Sequence, residues 1–395
     1  MEYIFSDRLK ELSGNSIREI FKLVSSSDII SFAGGLPATE CLPIKLVERF
    51  SAELLGSDRA AALLQYGATE GNPQLRRLMT QYVKRAGIKG VRMENVLIIS
   101  GGQQGIDLAM KAFVNEGDAI LVENPTYLAS LHIAKTYRAN PIGVNSFEDG
   151  IDLDDLERKI KEYRPILLYI VPNFQNPTGK TLSLEKRRKV AEITARYGLM
   201  VIEDDPYREL RYSGQPLPAI KSFDEAGNVI YVTSFSKVIS PGLRVGAAIA
   251  QEKVIYKLTI GKQAEDVHTN SLAQAIVEKF ISDDTLDKWI ESCVPVYRAK
   301  RDIMARALKE YMPKSFKFSV PEGGLFIWGQ FDKGSGIDAA GSFRRAIENK
   351  VAYVSGNDFF ADGSGRDCVR LNFSNASHEK LVEGVKRLAQ VFSQK

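Results

Sequence analysis

The sequence predicts an α/β protein, with a mostly parallel, doubly wound sheet in a large domain and a smaller α+β domain after it. Three observations carry that reading. Short apolar runs of strand length alternate with segments of helical period from Val96 to Ala250. The residues that interrupt these runs are glycine or polar, and they gather just after the strand ends, where open parallel sheets hold ligands. From about Trp289 the alternation gives way to a long helical segment, several strands and a closing helix, a texture of α+β type. At 395 residues the chain exceeds what one core usually holds. The expected units are 1–40, an N-terminal arm packing with the small domain and the site; 41–288, the large domain; and 289–395, the small domain.

Met1 to about Val24 reads as an arm and a helix. Ser16-Ile17-Arg18-Glu19-Ile20-Phe21-Lys22-Leu23 spaces its apolar residues helically, and Ser16 with Glu19 fits a capping box. The strand Ile29-Ile30-Ser31-Phe32 meets Gly34-Gly35-Leu36-Pro37, a tight turn or a close approach of backbone to ligand. Helices are expected over Leu42 to Leu55 and Gln74 to Ala86. Val96-Leu97-Ile98-Ile99 is a buried strand ending in Ser100-Gly101-Gly102-Gln103-Gln104-Gly105, and Ile106 to Val114 is apolar at helical spacing. A strand, a glycine turn and a helix N-terminus make a general anion site. The G-x-G-x-x-G spacing of a dinucleotide fingerprint is missing.

Ala119-Ile120-Leu121-Val122 ends at Glu123-Asn124-Pro125-Thr126-Tyr127, and helices follow around Leu128 to Tyr137 and over Leu153 to Tyr163. Ile166 to Val171 is apolar without alternation, which marks a strand buried on both faces. It ends at Pro172-Asn173-Phe174-Gln175-Asn176-Pro177-Thr178-Gly179. Gly179-Lys180-Thr181 looks like the tail of a P-loop, but Phe174 stands where that loop needs glycine. A helix over Glu185 to Tyr197 leads to the strand Leu199 to Ile202 and then Glu203-Asp204-Asp205-Pro206-Tyr207. Strands follow at Val229 to Thr233 and Val245 to Ala250. The last part holds a helix through Arg298 to Tyr311, strands at Phe316 to Val320, Leu325 to Trp328 and Cys368 to Phe373, and a helix over Lys380 to Phe392.

Composition removes several function classes. The net charge of +4, from 53 basic and 49 acidic residues, is too balanced for nucleic acid or an anionic membrane. Cys41, Cys293 and Cys368 are scattered and odd in number, so free thiols in a reducing compartment are expected, with neither a disulfide framework nor a zinc spacing. His132, His268 and His378 are equally scattered, and the absence of His-Glu-x-x-His argues against a metal hydrolase. With no signal-like start and no apolar run long enough to span a bilayer, a cytoplasmic setting without membrane contact is expected.

One stretch carries chemistry. The strand Val229 to Thr233 breaks into Ser234-Phe235-Ser236-Lys237, and Arg244 follows in Pro241-Gly242-Leu243-Arg244. A lysine at a strand end can be desolvated, which lowers its pKa and makes it nucleophilic. Two hydroxyls and an arginine suit a phosphate. A lysine beside a phosphate site suggests pyridoxal phosphate bound to that lysine.

The other strand ends complete a series: Ser100-Gly101-Gly102-Gln103, Tyr127, Asn176-Pro177-Thr178-Gly179, Asp204 with Tyr207, Ser234-x-x-Lys237, Arg244 and Arg370. This series resembles the class I and II aminotransferases, pyridoxal phosphate enzymes of fold type I with an aspartate aminotransferase-like fold. Glu203-Asp204-Asp205-Pro206-Tyr207 and Gly101-Gly102-Gln103-Gln104 look like the subgroup of 2-aminoadipate, aromatic and kynurenine aminotransferases. The resemblance covers essentially the whole chain. It implies pyridoxal 5′-phosphate as cofactor, with Lys237 as the covalent and proton-transfer residue and Asp204 on the pyridine nitrogen. It further implies Asn176 and Tyr207 on the phenolic oxygen and Tyr127 stacked on the ring. The Gly102 and Gln103 amides would hold the phosphate with Ser234, Ser236 and Arg244, and Arg370 would clamp the substrate carboxylate.

The resemblance also implies a homodimer, with Tyr66 reaching the neighbour's phosphate and substrate and Asn270 approaching the same site. Asn176, Gly35, Arg18 and Tyr66 complete the expected substrate contacts, with Arg18 meeting a side-chain carboxylate. The expected partners are a small-molecule amino acid and a 2-oxo acid, exchanged by ping-pong kinetics. The competing readings are β-elimination or decarboxylation on the same scaffold, a transcription regulator and a non-enzymatic scaffold. Only about thirty residues precede Gly34-Gly35, too few for a DNA-binding domain.

Overall fold

The computed structural model describes residues 3–10 and 28–393. The expected helix around Ser16 to Leu23, with Arg18, lies outside the described residues.

The strands are β1 (Ile30–Ser31), β2 (Val96–Ile99), β3 (Ala119–Asn124), β4 (Asn140–Phe147), β5 (Gly150–Ile151), β6 (Leu167–Ile170), β7 (Met200–Asp204), β8 (Val229–Ser234), β9 (Gly246–Ile249), β10 (Phe316–Phe318), β11 (Phe326–Phe331), β12 (Val351–Ala352), β13 (Val354–Ser355) and β14 (Cys368–Asn372). Eight form one sheet in the order β2-β9-β8-β7-β6-β3-β4-β5. Its centre is parallel, from β4 through β3, β6 and β7 to β8. β9 runs antiparallel between β2 and β8. β10, β11, β14 and β13 form a second, antiparallel sheet. β1 pairs with β12, so the segment before residue 40 joins the C-terminal part of the chain.

Side chains alternate along a strand, and that parity decides where the site grows. On one face Leu121, Leu168, Ile170, Val201 and Val229 pack against Leu156 and Ile160 of the helix Leu153–Tyr163 and Val190 and Ile193 of the helix Leu184–Tyr197. On the other, Ile120, Val122, Leu167, Ile202 and Val232 meet Ile106, Ala109 and Met110 of the helix Gly102–Phe113. Full burial of each such aliphatic side chain stabilises by roughly 1.5–3 kcal/mol. Asp204 continues the parity of Ile202, and Ser234 that of Val232. Both therefore project toward the start of the helix Gly102–Phe113.

The helices Glu252–Gln263 and Ser271–Ser282 and the strands β4, β12 and β13 go beyond the sequence reading. Pro141 and Gly143 hide the strand β4 from a pattern search. It forms near the sheet edge, where a proline can be carried, and Gly143 makes room for Asn124, whose side chain lies 2.6 Å from where a Cβ would stand. The helix Thr285–Tyr311, which carries Pro295 in its middle, runs through position 289. The three cysteines are free and buried. Among the described residues no helix is long and apolar enough to cross a membrane, and no cluster of side chains could hold a metal ion.

Candidate active site

The carboxyl ends of the parallel strands open on a cavity of about 680 Å3. One end of it is built to receive an anion. The chain leaves β2 through Gly101, whose φ of 84° places it in the left-handed region. A Cβ there would stand 2.4 Å from the Arg244 guanidinium, so glycine is required. The helix then begins at Gly102, with the Gly102 and Gln103 amides at its free, positive end. Opposite, β8 ends in a short turn where the Ser234 hydroxyl accepts from the Ser236 amide at 3.2 Å and donates to the Ser236 hydroxyl at 2.9 Å. Arg244 donates to the Ser236 hydroxyl at 3.4 Å and to the Ser100 carbonyl at 3.1 Å.

Lys237 and Asp204 occupy the middle. The Lys237 amine donates to the Gly35 carbonyl at 2.9 Å. Burial, then repulsion from Arg370 and Arg244, pushes its pKa down to about 8, against the pull of Asp204. Burial pushes the Asp204 carboxyl up to about 7. The Tyr169 hydroxyl, donating at 2.8 Å, works against that rise, as does Lys237, while Asp205 adds to it. The three consecutive carboxylates divide their partners. Glu203 accepts from the Ile220 and Lys221 amides at 2.7 and 2.8 Å. Asp205 takes Asn173, Tyr231 and Arg208. Only Asp204 lines the cavity.

Arg370, on β14 of the smaller sheet, closes the far end. It is 1% exposed, donates to the Asn176 side chain at 2.8 Å and to the Ala33 carbonyl, and lies 4.3 Å from the Phe326 ring centroid. Its Nε is buried without a partner. Burial lowers its pKa to about 10, leaving it charged at neutral pH. Tyr127 and Tyr207 are cavity walls, and burial raises the pKa of both hydroxyls, Tyr127 to about 12.

The structure thus brings together Gly35, Gly102, Gln103, Tyr127, Asn176, Asp204, Tyr207, Ser234, Ser236, Lys237, Arg244 and Arg370. Tyr66 is not among them: it is 80% exposed and stands edge-on to His268. The Asn270 side chain caps the helix Ser271–Ser282, accepting from the Ala273 amide at 2.8 Å. Arg18 lies outside the described residues. Tyr169 is the site residue that motif reading misses. Parity could have found it, because it shares the face of Asp204 on the neighbouring strand.

The donor set fits pyridoxal phosphate. A phosphate matches the serines, helix amides and Arg244; a ring nitrogen matches Asp204; an aldehyde matches the depressed Lys237 amine. The unpartnered Nε of Arg370 leaves capacity for a carboxylate.

Comparison with known proteins agrees with this chemistry. The family model Aminotransferase class I and II matches residues 31–388. The chain is 39% identical over 398 residues to aromatic-amino-acid aminotransferase 1 of Thermococcus litoralis, covering 100% of this chain and 95% of that protein. It is 39% identical over 382 residues to the 2-aminoadipate transaminase of Thermus thermophilus, covering 96% and 94%. The structure of Pyrococcus horikoshii kynurenine aminotransferase, in complex with PMP, KYN as substrates and KYA as products, superposes with a TM-score of 0.94. That pair is 38% identical and covers 99% of this chain and 97% of the other.

Proposed function

The chain belongs to the class I and II aminotransferases, and on that footing we propose that it moves an amino group between a broad set of amino acids and 2-oxoglutarate. Aromatic amino acids and 2-aminoadipate head that set, by analogy with the relatives named for them. Its cofactor is pyridoxal 5′-phosphate, which supplies a carbonyl carbon that takes up an amine and a ring that draws electrons from the substrate Cα.

The residues divide the work. The Gly102 and Gln103 amides, Ser234, Ser236 and Arg244 bind the phosphate and anchor the ring. Asp204 keeps the proton on the ring nitrogen. Asn176 and Tyr207 would hydrogen-bond the phenolic oxygen, and Tyr127 would stack on the ring. Lys237 would take the proton from the substrate Cα and deliver it to the cofactor's carbonyl-derived carbon, a task for an amine whose pKa lies near the working pH. Arg370 fixes the α-carboxylate and so orients the Cα–H bond toward Lys237. We also assign a homodimer in which Tyr66 reaches the neighbour's phosphate, a role suited to its exposure. Arg18 is assigned to acidic side chains; Arg18→Ala with full activity toward glutamate and 2-aminoadipate would remove it.

The observation that carries the proposal is Lys237, whose amine donates to the Gly35 carbonyl at 2.9 Å and lines one cavity with Asp204, Arg244 and Arg370. The test is the absorbance spectrum of the purified protein. A yellow band that amino donors bleach, and that does not persist unchanged in Lys237→Ala, is expected. A colourless protein after incubation with pyridoxal phosphate, or ammonia or carbon dioxide among the products, would sink the reading. Ranking donors by bleaching rate tests the substrate set.

A further inference from the structure

Tyr169 lies at the centre of β6, with no exposed surface. Its register partner on β7 is Ile202, two residues before Asp204, so its ring lies beside the carboxylate and lines the cavity. Its hydroxyl donates to Asp204 Oδ2 at 2.8 Å. The other oxygen, Oδ1, stands over the helix start, 3.6 Å from where a Cβ on Gly102 would be. The terminal torsion of an aspartate is broad and roughly two-fold, so burial alone does not fix which oxygen faces a ligand. A hydroxyl bonded to one oxygen does.

The same bond acts on charge. Asp204 is buried and lies next in sequence to a second carboxylate, Asp205. Tyr169 from β6, Lys237 from the turn after β8, Asp205 next in sequence, Tyr127 and Tyr207 are the ionisable groups that interact with it. Tyr169 and Lys237 favour its ionised form; burial and Asp205 oppose it. Lys237 changes its bonding when it takes a carbonyl ligand, whereas Tyr169 does not. Burial and the neighbouring carboxylate raise the pKa of the Tyr169 hydroxyl well above the usual range, so it remains a donor at every working pH.

We propose that Tyr169 is a positioning residue, which through its bond to Oδ2 aims Oδ1 of Asp204 at the ring nitrogen of the cofactor and keeps the carboxylate charged. This rests on the pyridoxal phosphate reading above. Tyr169 touches no reacting atom; it acts only through Asp204. A hydrogen bond to a charged group contributes about 1.5–3 kcal/mol, so its loss is expected to weaken the ring-nitrogen contact by about 10- to 140-fold.

The test is the dissociation constant of pyridoxamine 5′-phosphate, read by fluorescence quenching, for the full-length protein and three variants. Tyr169→Phe is expected to bind about 10-fold more weakly or worse. Asp204→Asn should lose at least as much, and the double variant should lose little more than Asp204→Asn alone. The 1-deaza analogue, with carbon in place of the ring nitrogen, separates positioning from structure. Its affinity should be the same for the parent and Tyr169→Phe. In the pyridoxal phosphate form, the pH midpoint of the yellow band should rise in Tyr169→Phe, because a weaker positive charge on the ring repels the nearby proton less.

Equal losses for both ligands would make Tyr169 a packing residue and overturn the inference. So would parental affinity and an unmoved midpoint in Tyr169→Phe. Failure of the parent protein to bind pyridoxamine 5′-phosphate at all would instead overturn the cofactor reading, and this inference with it.

Discussion

Lys237 shows how much a single side chain depends on what surrounds it. An exposed lysine is protonated at neutral pH and cannot attack a carbonyl. Here burial and two arginines bring the amine to about 8, while Asp204 holds it from falling further. The free amine captures an aldehyde, so the rate of pyridoxal phosphate uptake should rise with pH through about 8 and level off above it. Asp204→Asn removes the charge that favours the protonated amine, and the midpoint should move down. Stopped-flow absorbance against pH checks both; an unchanged midpoint in the variant would break the coupling. Lys237 was legible in the sequence because its neighbours are chemically unusual in a strand end. Tyr169 was not, since a tyrosine inside an apolar run reads as core until the adjacent strand is known.

At the scale of elements, the anion end of the cavity depends on how closely one helix lies against the sheet. A Cβ on Gly105 would stand 2.8 Å from Ile99 and 2.9 Å from Val232. Gly105→Ala should push the helix Gly102–Phe113 outward, at a cost of about 1–3 kcal/mol. The Gly102 and Gln103 amides move with it, so phosphate-bearing ligands should bind more weakly while a phosphate-free analogue is less affected; calorimetry on both reads the difference. Glu123, at the end of β3, presents a different constraint. Its carboxylate accepts from the Val171 amide at 2.8 Å, and burial pushes its pKa up to about 8. An unfolded chain releases that proton near about 4.3. Between the two values the folded chain holds a proton that the unfolded chain has lost, so stability falls as pH rises from about 4.3 through 8. Glu123→Gln keeps an acceptor for Val171 and removes the titration. Its melting temperature should exceed the parent's at pH values near 8, with a shallower pH slope. The central strands were readable as apolar runs, whereas β4 was not, because its proline and glycine answer to its place in the sheet rather than to strand propensity.

Across the whole molecule, the three thiols lie in the core at 4%, 5% and 2% exposure for Cys41, Cys293 and Cys368. A thiol reagent should label the folded protein slowly and all three cysteines after denaturation, and reductant should leave the melting temperature unchanged; rapid native labelling would contradict this packing. The large sheet and most of its strand-end chemistry could be read from sequence, since both follow from local pattern. The pairing of β1 with β12 could not, because it joins residues more than three hundred positions apart through two-residue strands that carry no pattern. Arg370 belongs to the same long-range order. It bonds Asn176, 194 residues earlier, and Ala33, 337 residues earlier. During synthesis, Lys237, Asp204 and the phosphate-binding groups are all made before it. The groups placed to take a phosphate and an aldehyde are therefore on the chain before the arginine placed to meet a carboxylate is made, yet one continuous core joins both sets of elements, so the site as a whole waits for the C-terminal sheet.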